Sequence, residues 1–415
     1  MKKKSRHQVF KLSSLRLLLL LVMIIPLWAC GKDDKGVTTN IDNMECEVAE
    51  EETDDPATLE DSVTSQDNGQ SIHSQDENGE EAYADSGQVD SSESYEFTLS
   101  FAGDINFDEN WSTMAYYNTK SEGIYDVISP QLIKMMQDSD IMSLNNEFTF
   151  STRGTPLEGK AYTFRADPSR VDILKELGVD IVNLANNHVY DYGEEALLDT
   201  FDTLKNAGIH YFGAGKNLEE AMSPVYFDIE GKKVAYVAAS RAEKFKMTPQ
   251  ATEDSPGILR CYDTDLFIET IKEAKSNADY VIANLHWGTE YSFELEDVQL
   301  QTSKDYIDAG ADIIIGAHPH VLQGIEYYKG KPIVYSLGNF WFNNKTLDTM
   351  LLNIHFYGDE EEELVELEII PAIQADNYTK LVTDREEKDR IFSFIEDISI
   401  NIEIDEDGIV REVSN

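Results

Sequence analysis

Cysteine is scarce in this sequence, and the positions of the few that occur exclude a disulfide-stabilised fold. Cys30 ends an apolar run near the N-terminus, Cys46 lies in an acidic segment, and Cys261 lies in the body of the chain. Three widely separated cysteines do not form a disulfide framework, and whether Cys46 and Cys261 pair is left open by the sequence. Because no histidine or asparagine stands beside Cys261, we interpret it as a structural residue.

Basic residues are also few, which limits the partners of the folded body. Among 415 residues there are 34 basic and 79 acidic side chains, giving a formal net charge of −45. Six of the basic residues fall within 1–30, where no acidic residue occurs. A body this acidic repels the phosphates of nucleic acids and anionic lipid surfaces. We therefore expect no nucleic-acid partner.

Long apolar runs are limited to one, Leu17–Leu27, which is too short to span a bilayer comfortably. Together with the basic residues before it, this run predicts a targeting segment over 1–30. The segment ends in Ala29-Cys30-Gly31, which resembles the lipobox of bacterial lipoproteins, where the cysteine is lipidated. We expect a lipidated Cys30 to anchor the chain to the cell membrane, with the body extracytoplasmic. An uncleaved signal anchor and an ordinary secretory peptide are the alternatives.

Residues 31–95 have the composition of a disordered tether. They include 20 acidic residues, two lysines, and neither phenylalanine nor tryptophan, for a net charge of −18. Such a segment buries too little apolar surface to offset the entropy of ordering it, and its charge keeps it extended. We interpret it as an acidic linker that holds the body away from the membrane.

Helical and strand-like segments alternate from residue 96 onward, which predicts a layered α/β fold with mixed sheets. The first strand-like run, 96–101, leads into Ala102-Gly103-Asp104. Later β-rich runs begin at an aspartate and follow stretches whose apolar residues have helical spacing. After residue 327 the pattern predicts antiparallel strands, then a helix over 386–395 and a strand over 398–404. The other predicted strands are 140–144, 180–184, 279–285 and 312–315, and the other predicted helices are 168–177, 194–207, 266–274 and 295–309.

Each predicted strand ends in residues that bind metals or take part in catalysis. In open α/β sheets, ligands bind beyond the carboxyl ends of the strands. Four of the eight histidines of the chain lie at these ends, a clustering that packing does not explain. The sequence therefore predicts a metal site there. The groups at the strand ends are Gly103–Asn106, Asn145–Glu147, Asn186–Gly193, His286–Gly288 with Glu290, and His318–His320.

The types of ligand indicate which metals fit. Carboxylates, an asparagine carbonyl and several imidazoles, without thiolate, suit manganese, iron or zinc. In His318-Pro319-His320 the proline confines the pair to a strand end or loop, where both imidazoles can converge on one centre. Two ions could stabilise the attacking and leaving oxygens of a displacement at phosphorus or at a carbonyl carbon. We expect one or two divalent ions.

Other active-site patterns are missing or incomplete. The sequence contains neither a Gly-x-Ser-x-Gly elbow nor a His-Glu-x-x-His helix. The stretch Gly213–Asn217 resembles a phosphate-binding loop only at first sight, because it lacks the leading glycine and the serine or threonine after the lysine. We therefore predict an ordinary loop between strands there.

The motifs taken in order resemble those of the CapA (PgsA) family, the poly-γ-glutamate capsule synthesis proteins. This family is related in fold to the calcineurin-like metallophosphoesterases. The resemblance implies a layered αββα metallophosphatase-like domain over 96–345, with the strands and helix of 346–415 completing it. The motifs that carry it are Ala-Gly-Asp104, Asn145-x-Glu147, Ala-Asn-Asn-His188-x-x-Asp-Tyr-Gly193, Leu-His286-Trp-Gly-x-Glu-Tyr291, Gly-Ala-His318-Pro-His320 and Tyr-Ser-Leu-Gly-Asn339-Phe340.

The resemblance also implies roles for individual residues. His188 would protonate a leaving group or stabilise charge in the transition state, with Asp191 as a second catalytic residue. Asn106 stands where the metallophosphoesterase pattern has its first histidine. We place five residues of these motifs in contact with substrate: Asn106, Asn145, Trp287, Glu290 and Asn339. The metal ligands implied by the resemblance are Asp104, Glu147, Asn187, His286, His318 and His320.

Two functions are consistent with these features. The first is a surface-anchored, metal-dependent hydrolase that acts on a bond in a capsule or wall polymer. The second is a non-catalytic scaffold of a polymer synthesis and export complex that keeps its metal site for binding. In both cases the resemblance implies polyglutamate as the polymer and membrane partners of the CapB and CapC kind. Because the body is acidic, contact with a polyanion must be local, and Arg165 and Arg241 are candidates for it.

Overall fold

The computed structural model describes residues 94–243, 247–359 and 362–413. The targeting segment expected over 1–30, with Cys30, and the linker expected from residue 31 as far as residue 93 lie outside these ranges. The strands are β1 (Tyr95–Ile105), β2 (Ile141–Asn146), β3 (Thr149–Phe150), β4 (Arg165–Ala166), β5 (Ile181–Asn183), β6 (His210–Phe212), β7 (Ala214–Gly215), β8 (Val225–Ile229), β9 (Lys232–Ser240), β10 (Gly257–Ile258), β11 (Tyr280–His286), β12 (Ile313–Ala317), β13 (Leu322–Tyr328), β14 (Lys331–Leu337), β15 (Asn339–Trp341), β16 (Leu347–Gly358), β17 (Glu363–Ala375), β18 (Tyr378–Leu381), β19 (Ile402–Ile404) and β20 (Ile409–Glu412). The helices are α1 (Ser112–Tyr117), α2 (Pro130–Asp138), α3 (Val171–Glu176), α4 (Glu194–Ala207), α5 (Leu218–Met222), α6 (Asp265–Asn277), α7 (Asp297–Ala309) and α8 (Arg385–Ile398), with 3₁₀ turns at Gly123–Asp126 and Pro168–Arg170.

The first sheet joins a parallel half to an antiparallel half at β1. Its order is β19-β20-β17-β16-β1-β2-β5-β6, with β15 pairing with β1 and β18 with β17. The strands β1, β2, β5 and β6 are parallel, whereas β16, β17, β20 and β19 are antiparallel. Because β16 pairs with β1 along most of its length, the strands after residue 346 extend the same sheet.

The second sheet has parallel strands in its centre and antiparallel strands at both edges. Its order is β13-β14-β12-β11-β9-β8. The strands β9, β11, β12 and β14 are parallel. The hairpins β8–β9 and β13–β14 place an antiparallel strand at each edge of the sheet. The carboxyl ends of β11 and β12 therefore lie side by side, which brings His286 close to the loop that begins at His318.

Hydrophobic side chains form three layers of core, and their alternation along each strand explains the layering. In β9, Tyr236 points towards the first sheet, whereas Val237 points towards the helices on the other face. The core between the sheets includes the contact of Phe101 with Tyr236, whose ring centroids are 6.2 Å apart. Helices α2, α3 and α4 cover the first sheet, and α6 and α7 cover the second. The four-layer αββα arrangement with mixed sheets is confirmed.

Most predicted elements occur, with an error near the C-terminus and another at Gly213–Asn217, where the predicted loop contains the short strand β7 paired with β10. Helix α4 has the predicted bounds, and Gly178, Gly208 and Gly310 follow helices with positive φ angles, as C-cap glycines do. The predicted strand over 398–404 was wrong at its start, because α8 continues through Ile398 and only Ile402–Ile404 forms a strand. The apolar alternation was misleading because Ile395 and Ile398 also fit helical spacing. In the part of the chain that the structure describes, no helix has the length and apolarity needed to cross a membrane.

Candidate metal centre

Glu147 lies at the centre of the strand-end residues. It follows β2, its side chain is fully buried, and neither carboxylate oxygen accepts a hydrogen bond from the described residues. Burial raises the pKa of Glu147 well above its ordinary value, and the nearby Asp104 carboxylate adds to this effect. A buried carboxylate without donors costs considerable free energy unless a cation compensates it. The position therefore suits a metal ligand.

A first set of potential ligands joins Glu147 to two histidines of the second sheet. One ligand atom each from Glu147, His286 and His318 lies within 4.8 Å of the others. The Nε2 atom of His286 lies 3.3 Å from Oε1 of Glu147, and the rings of the two histidines are 4.7 Å apart. Burial lowers the pKa of His286 to about 3 and lowers the pKa of His318 well below its usual value. Both imidazoles are therefore neutral at pH 7, as metal ligands must be.

A second set shares Glu147 but uses different partners. Asp104, Glu147 and His320 also place one ligand atom each within 4.8 Å of one another. The Nδ1 atom of His320 lies 3.1 Å from Oδ2 of Asp104 and 3.9 Å from Oε2 of Glu147. Burial disfavours the charged form of His320, but Glu147 and Asp104 outweigh it and raise the pKa of His320 to about 9. Glu147 is thus a common member of two adjacent triads.

The backbone conformation of His318-Pro319-His320 holds the two imidazole rings apart. His318 has φ 100° and His320 has φ 59°, conformations that are uncommon for residues other than glycine. The two rings are 6.0 Å apart, and each belongs to a different triad. The two histidines, which we expected to converge on one centre, therefore fall in two candidate groups that share Glu147.

Gly103 allows the backbone of β1 to approach β15 at the site. The amide of Asp104 donates to the carbonyl of Gly338 at 2.9 Å, and a Cβ atom at Gly103 would lie 1.9 Å from that carbonyl oxygen. The register between β1 and β2 also shifts between Ala102 and Asp104. Irregularities of this kind re-aim side chains next to functional sites. The glycine therefore places the Asp104 carboxylate between the two sheets.

Asparagine side chains hold the ligands in place. The Oδ1 atom of Asn187 lies 2.7 Å from Nε2 of His286, so it is placed beside the first triad. Asn145 donates from Nδ2 to Oδ1 of Asp104 at 2.7 Å, and its own Oδ1 accepts from Asn183 at 3.2 Å. We expected Asn145 to contact substrate, but it is buried and its bonds orient Asp104 instead.

His188 and Asp191 form a hydrogen-bonded pair next to the triads. Nδ1 of His188 lies 2.7 Å from Oδ2 of Asp191, which also accepts from the amide of Phe164 at 2.7 Å. Because Asp191 occupies Nδ1, the Nε2 atom is free for the neighbouring cavity. Burial lowers the pKa of His188 and outweighs the opposite effect of Asp191, so the neutral imidazole predominates at pH 7.

Lys160 is a buried cation that the sequence did not identify. Its ammonium lies 2.7 Å from Oδ1 of Asp191 and 3.1 Å from Oε1 of Glu243, and it donates to the carbonyl of Asn187. The side chain is only 5% exposed. Lys160 thus balances the charge of Asp191 and fixes the loop that carries Asn187 and His188. No motif signals it, because it lies in a turn far along the chain from its partners.

The other predicted substrate contacts fall into different places. Trp287 is buried in the core under α6 and α7, where its Nε1 donates to the carbonyl of Tyr335, so its assignment as a substrate contact is corrected to a packing role. Asn339 accepts through Oδ1 from Nδ1 of His320 at 2.8 Å. Asn106 is buried, and its Oδ1 accepts from the amide of Asp108. Glu290 is exposed and lines a cavity at the site.

That cavity has a volume of about 500 Å³ and opens beside the second triad, since His320 forms part of its wall together with His188. Its size falls within the range of ligand sites. The rest of the wall is half aromatic and half polar or charged. The aromatic members, which the sequence did not identify as functional apart from the motif residue Tyr291, are Trp111, Tyr162, Phe164, Tyr291 and Phe342.

The donor set fits one or two divalent ions. Glu147 offers two oxygens without hydrogen-bond donors, and Nδ1 of the buried His318 is likewise without a partner among the described residues. Carboxylates and imidazoles without thiolate are the ligands of manganese, iron and zinc. Cys261 is buried in the core behind the second sheet and belongs to neither triad. The ligand set predicted from the sequence is therefore brought together.

Comparison with known proteins gives a family and two similar capsule proteins. Residues 98–344 match the family described as "Bacterial capsule synthesis protein PGA_cap". The chain is 33% identical over 311 residues to the capsule biosynthesis protein CapA of Bacillus anthracis, covering 72% of this chain and 73% of that protein. It is 34% identical over 258 residues to the PGA biosynthesis protein CapA of Bacillus subtilis (strain 168), covering 59% and 67%. A crystal structure of a hypothetical protein from Thermus thermophilus aligns with a TM-score of 0.39 at 14% identity, covering 68% of this chain and 99% of that one.

Proposed function

The chain belongs to the family of bacterial capsule synthesis proteins PGA_cap, and on that premise we propose that it is a metal-dependent, phosphatase-like hydrolase of poly-γ-glutamate capsule synthesis. The motif-based resemblance to this family is confirmed by the comparisons. The observation that supports a hydrolase most directly is the sharing of Glu147 by two triads next to the cavity. A protein that served only as a scaffold would not require a paired histidine, His188, at that cavity.

Six residues would hold the metal: Asp104, Glu147, Asn187, His286, His318 and His320. When bound, the metal would polarise the bond to be cut and activate water near neutral pH. The contribution of the protein is to keep the imidazoles of His286 and His318 neutral by burial and to fix Asp104 through Asn145. Two triads that share a carboxylate favour two ions over one.

His188 supplies the proton-handling group. Its Nδ1 is held by Asp191, so Nε2 is the atom that faces substrate in the cavity. Because the neutral form predominates, Nε2 accepts a proton or a hydrogen bond at pH 7, and it returns the proton to a leaving oxygen or nitrogen after the imidazole has been charged. The Asp191 carboxylate stabilises that charged form. The pair would then act first as a general base and afterwards as a general acid in the hydrolysis.

The location follows from the N-terminal features of the sequence. Lipidation at Cys30 would anchor the chain to the outer side of the cell membrane, close to membrane partners of the CapB and CapC kind. The substitution Cys30→Ser tests the anchor, because it should move the protein from the membrane fraction to the soluble fraction. An unchanged membrane fraction would favour an uncleaved signal anchor.

Metal analysis combined with substrate tests examines the site. The double variant His318→Ala/His320→Ala should lose both metal and hydrolysis of phosphoester or γ-glutamyl substrates, because each histidine belongs to one triad. His210→Ala serves as the matched control, since His210 is an exposed histidine on β6. Full metal retention in the double variant would reject the site. Stoichiometric metal in the unmodified protein, without turnover of any substrate, would favour the non-catalytic scaffold.

A further inference from the structure

The cavity beside the triads carries two opposite charges at its mouth. Glu290 and Lys345 both line it, and no ion pair joins them within the described ranges. The ammonium of Lys345 lies 3.5 Å from the centroid of the Tyr291 ring, and Tyr291 directly follows Glu290 in the chain. The same cavity is therefore lined by a carboxylate and an ammonium. Neither Arg165 nor Arg241, our sequence-based candidates for contact with a polyanion, lines this cavity.

Lys345 is the one described lysine that lines this cavity. Residues 96–415 carry a net charge of −33, and several lysines, among them Lys134, Lys160 and Lys232, form ion pairs with carboxylates. Within the described part of the chain, no carboxylate lies within ion-pair distance of the Lys345 ammonium, which packs on an aromatic ring instead. A cation held in this way is available to an anionic group of a ligand.

Glu290 limits how much negative charge the cavity accepts. Its carboxylate contributes to raising the pKa of both Glu147 and His320, so its charge is felt at the second triad. A cationic group would be attracted by Glu290 and by the faces of the aromatic side chains of the wall. The cavity therefore complements one negative and one positive charge.

In a γ-linked glutamate chain, this pair of charges occurs at one place only. Every unit keeps its α-carboxylate, but only the amino-terminal unit also keeps a free α-ammonium, because all other nitrogens are in amide bonds. We propose that the cavity recognises the zwitterionic amino end of a γ-glutamyl chain, with Lys345 binding the α-carboxylate and Glu290 the α-ammonium. The proposal rests on the proposed function, since it assumes polyglutamate as the polymer. It makes the protein act at a chain end and not along the chain.

Binding of two matched peptides to the full-length protein tests the proposal. The probes are γ-glutamyl-glutamate and its N-acetyl form, which differ in the α-ammonium, and binding is measured by calorimetry at pH 7 with manganese present. The free dipeptide should bind at least about tenfold more tightly, which corresponds to one charge-assisted contact. Glu290→Gln should abolish the preference, and Lys345→Met should weaken both peptides. Lys134→Met, at an exposed lysine of α2, is the control and should change neither.

The outcomes separate this proposal from the function on which it rests. If the protein holds metal and hydrolyses γ-glutamyl bonds but binds the two peptides equally, recognition of the amino end is overturned. The proposed hydrolase function would then stand. Equal affinity for glycerol phosphate and the dipeptide, both lost in Lys345→Met, would also overturn recognition of the amino end and point to a simple anion site. Absence of metal together with absence of binding would overturn both.

Discussion

The ammonium of Lys160 lies 2.7 Å from Oδ1 of Asp191, and the two side chains are 5% and 0% exposed. This buried ion pair stands behind the His188 imidazole, which bonds to the other oxygen of the same carboxylate. The Asp191 carboxylate therefore lies between the Lys160 ammonium and the His188 imidazole. Burial lowers the pKa of His188, so its neutral form predominates at pH 7.

We expect Lys160→Met to be one of the most destabilising substitutions near the site. Removing one member of a buried ion pair leaves the other charge uncompensated, which typically costs about 3–5 kcal/mol. Urea denaturation should show a decrease of this size in the free energy of unfolding. Lys134→Met removes an exposed pair with Asp138 and should change it by less than about 1 kcal/mol. Equal effects of the two substitutions would contradict the structural importance of Lys160.

Glu147→Gln should abolish metal binding and raise the free energy of unfolding of the metal-free protein. Because Glu147 belongs to both triads, the variant should lose all bound metal. The metal-free variant should be more stable than the metal-free parent by about 1–3 kcal/mol, since a buried carboxylate without donors has been removed. Both quantities can be measured by metal analysis and by denaturation after chelation.

A matched control for this prediction is Glu326→Gln. Glu326 is a buried glutamate whose carboxylate accepts from Tyr335 at 2.9 Å and pairs with Lys304 at 3.0 Å. Its substitution should lower stability and leave the metal content unchanged. If Glu147→Gln destabilised the metal-free protein as Glu326→Gln does, the Glu147 carboxylate would have a partner that our description of the site does not include.

His188→Ala should reduce the rate of hydrolysis without removing metal. The side chain belongs to neither triad but faces the cavity, and loss of a general acid–base group typically costs about 10²–10⁴-fold in rate. Comparison of kcat with the metal content of the same preparation checks this. An unchanged rate would exclude His188 as a catalytic group.

Cys261 should be unreactive in the folded protein well into the alkaline range. Burial raises the pKa of its thiol to about 11, and the side chain is 1% exposed. In a form carrying Cys30→Ser and Cys46→Ser, iodoacetamide at pH 8 should modify the folded chain far more slowly than the unfolded chain. Rapid modification of the folded chain would show that the thiol is accessible.

The same thiol makes stability depend on pH. In the unfolded chain Cys261 ionises above its ordinary value of 9.0, whereas the folded chain keeps the proton until about pH 11. The unfolded state is therefore favoured as the pH rises between these values, by about 1.4 kcal/mol per pH unit. Relative to Cys261→Ala, the parent should lose stability over this interval and be unaffected below pH 8.

The sequence predicted which side chains come together at the ends of the strands. Asp104, Glu147, His286 and His318 each follow or end a buried strand, and parallel strands bring such ends to one edge whatever the details of packing. The layering was predictable for the same reason, because buried strands that alternate with helices have few stable arrangements. The error at Ile398 arose where helical and strand-like spacing of isoleucines coincide.

Features that depend on distant contacts could not be predicted. Lys160 and Lys345 follow no motif, and their roles arise from neighbours far away along the chain. Trp287 shares a motif with His286, yet adjacent residues of a strand point to opposite faces, so one reaches the triad and the other reaches the core. The division of His318 and His320 between two triads follows from backbone angles at both residues that the composition does not reveal.

The pairing of Asp104 in β1 with Asn339 in β15 has a consequence for the order of folding. Contacts between residues so distant in sequence form late, because a large loop must close first. During synthesis, the first metal ligand exists long before the strand that positions it has been made. We therefore expect that a chain interrupted before residue 339 would not assemble the proposed centre, so that metal content would distinguish completed molecules from truncated ones.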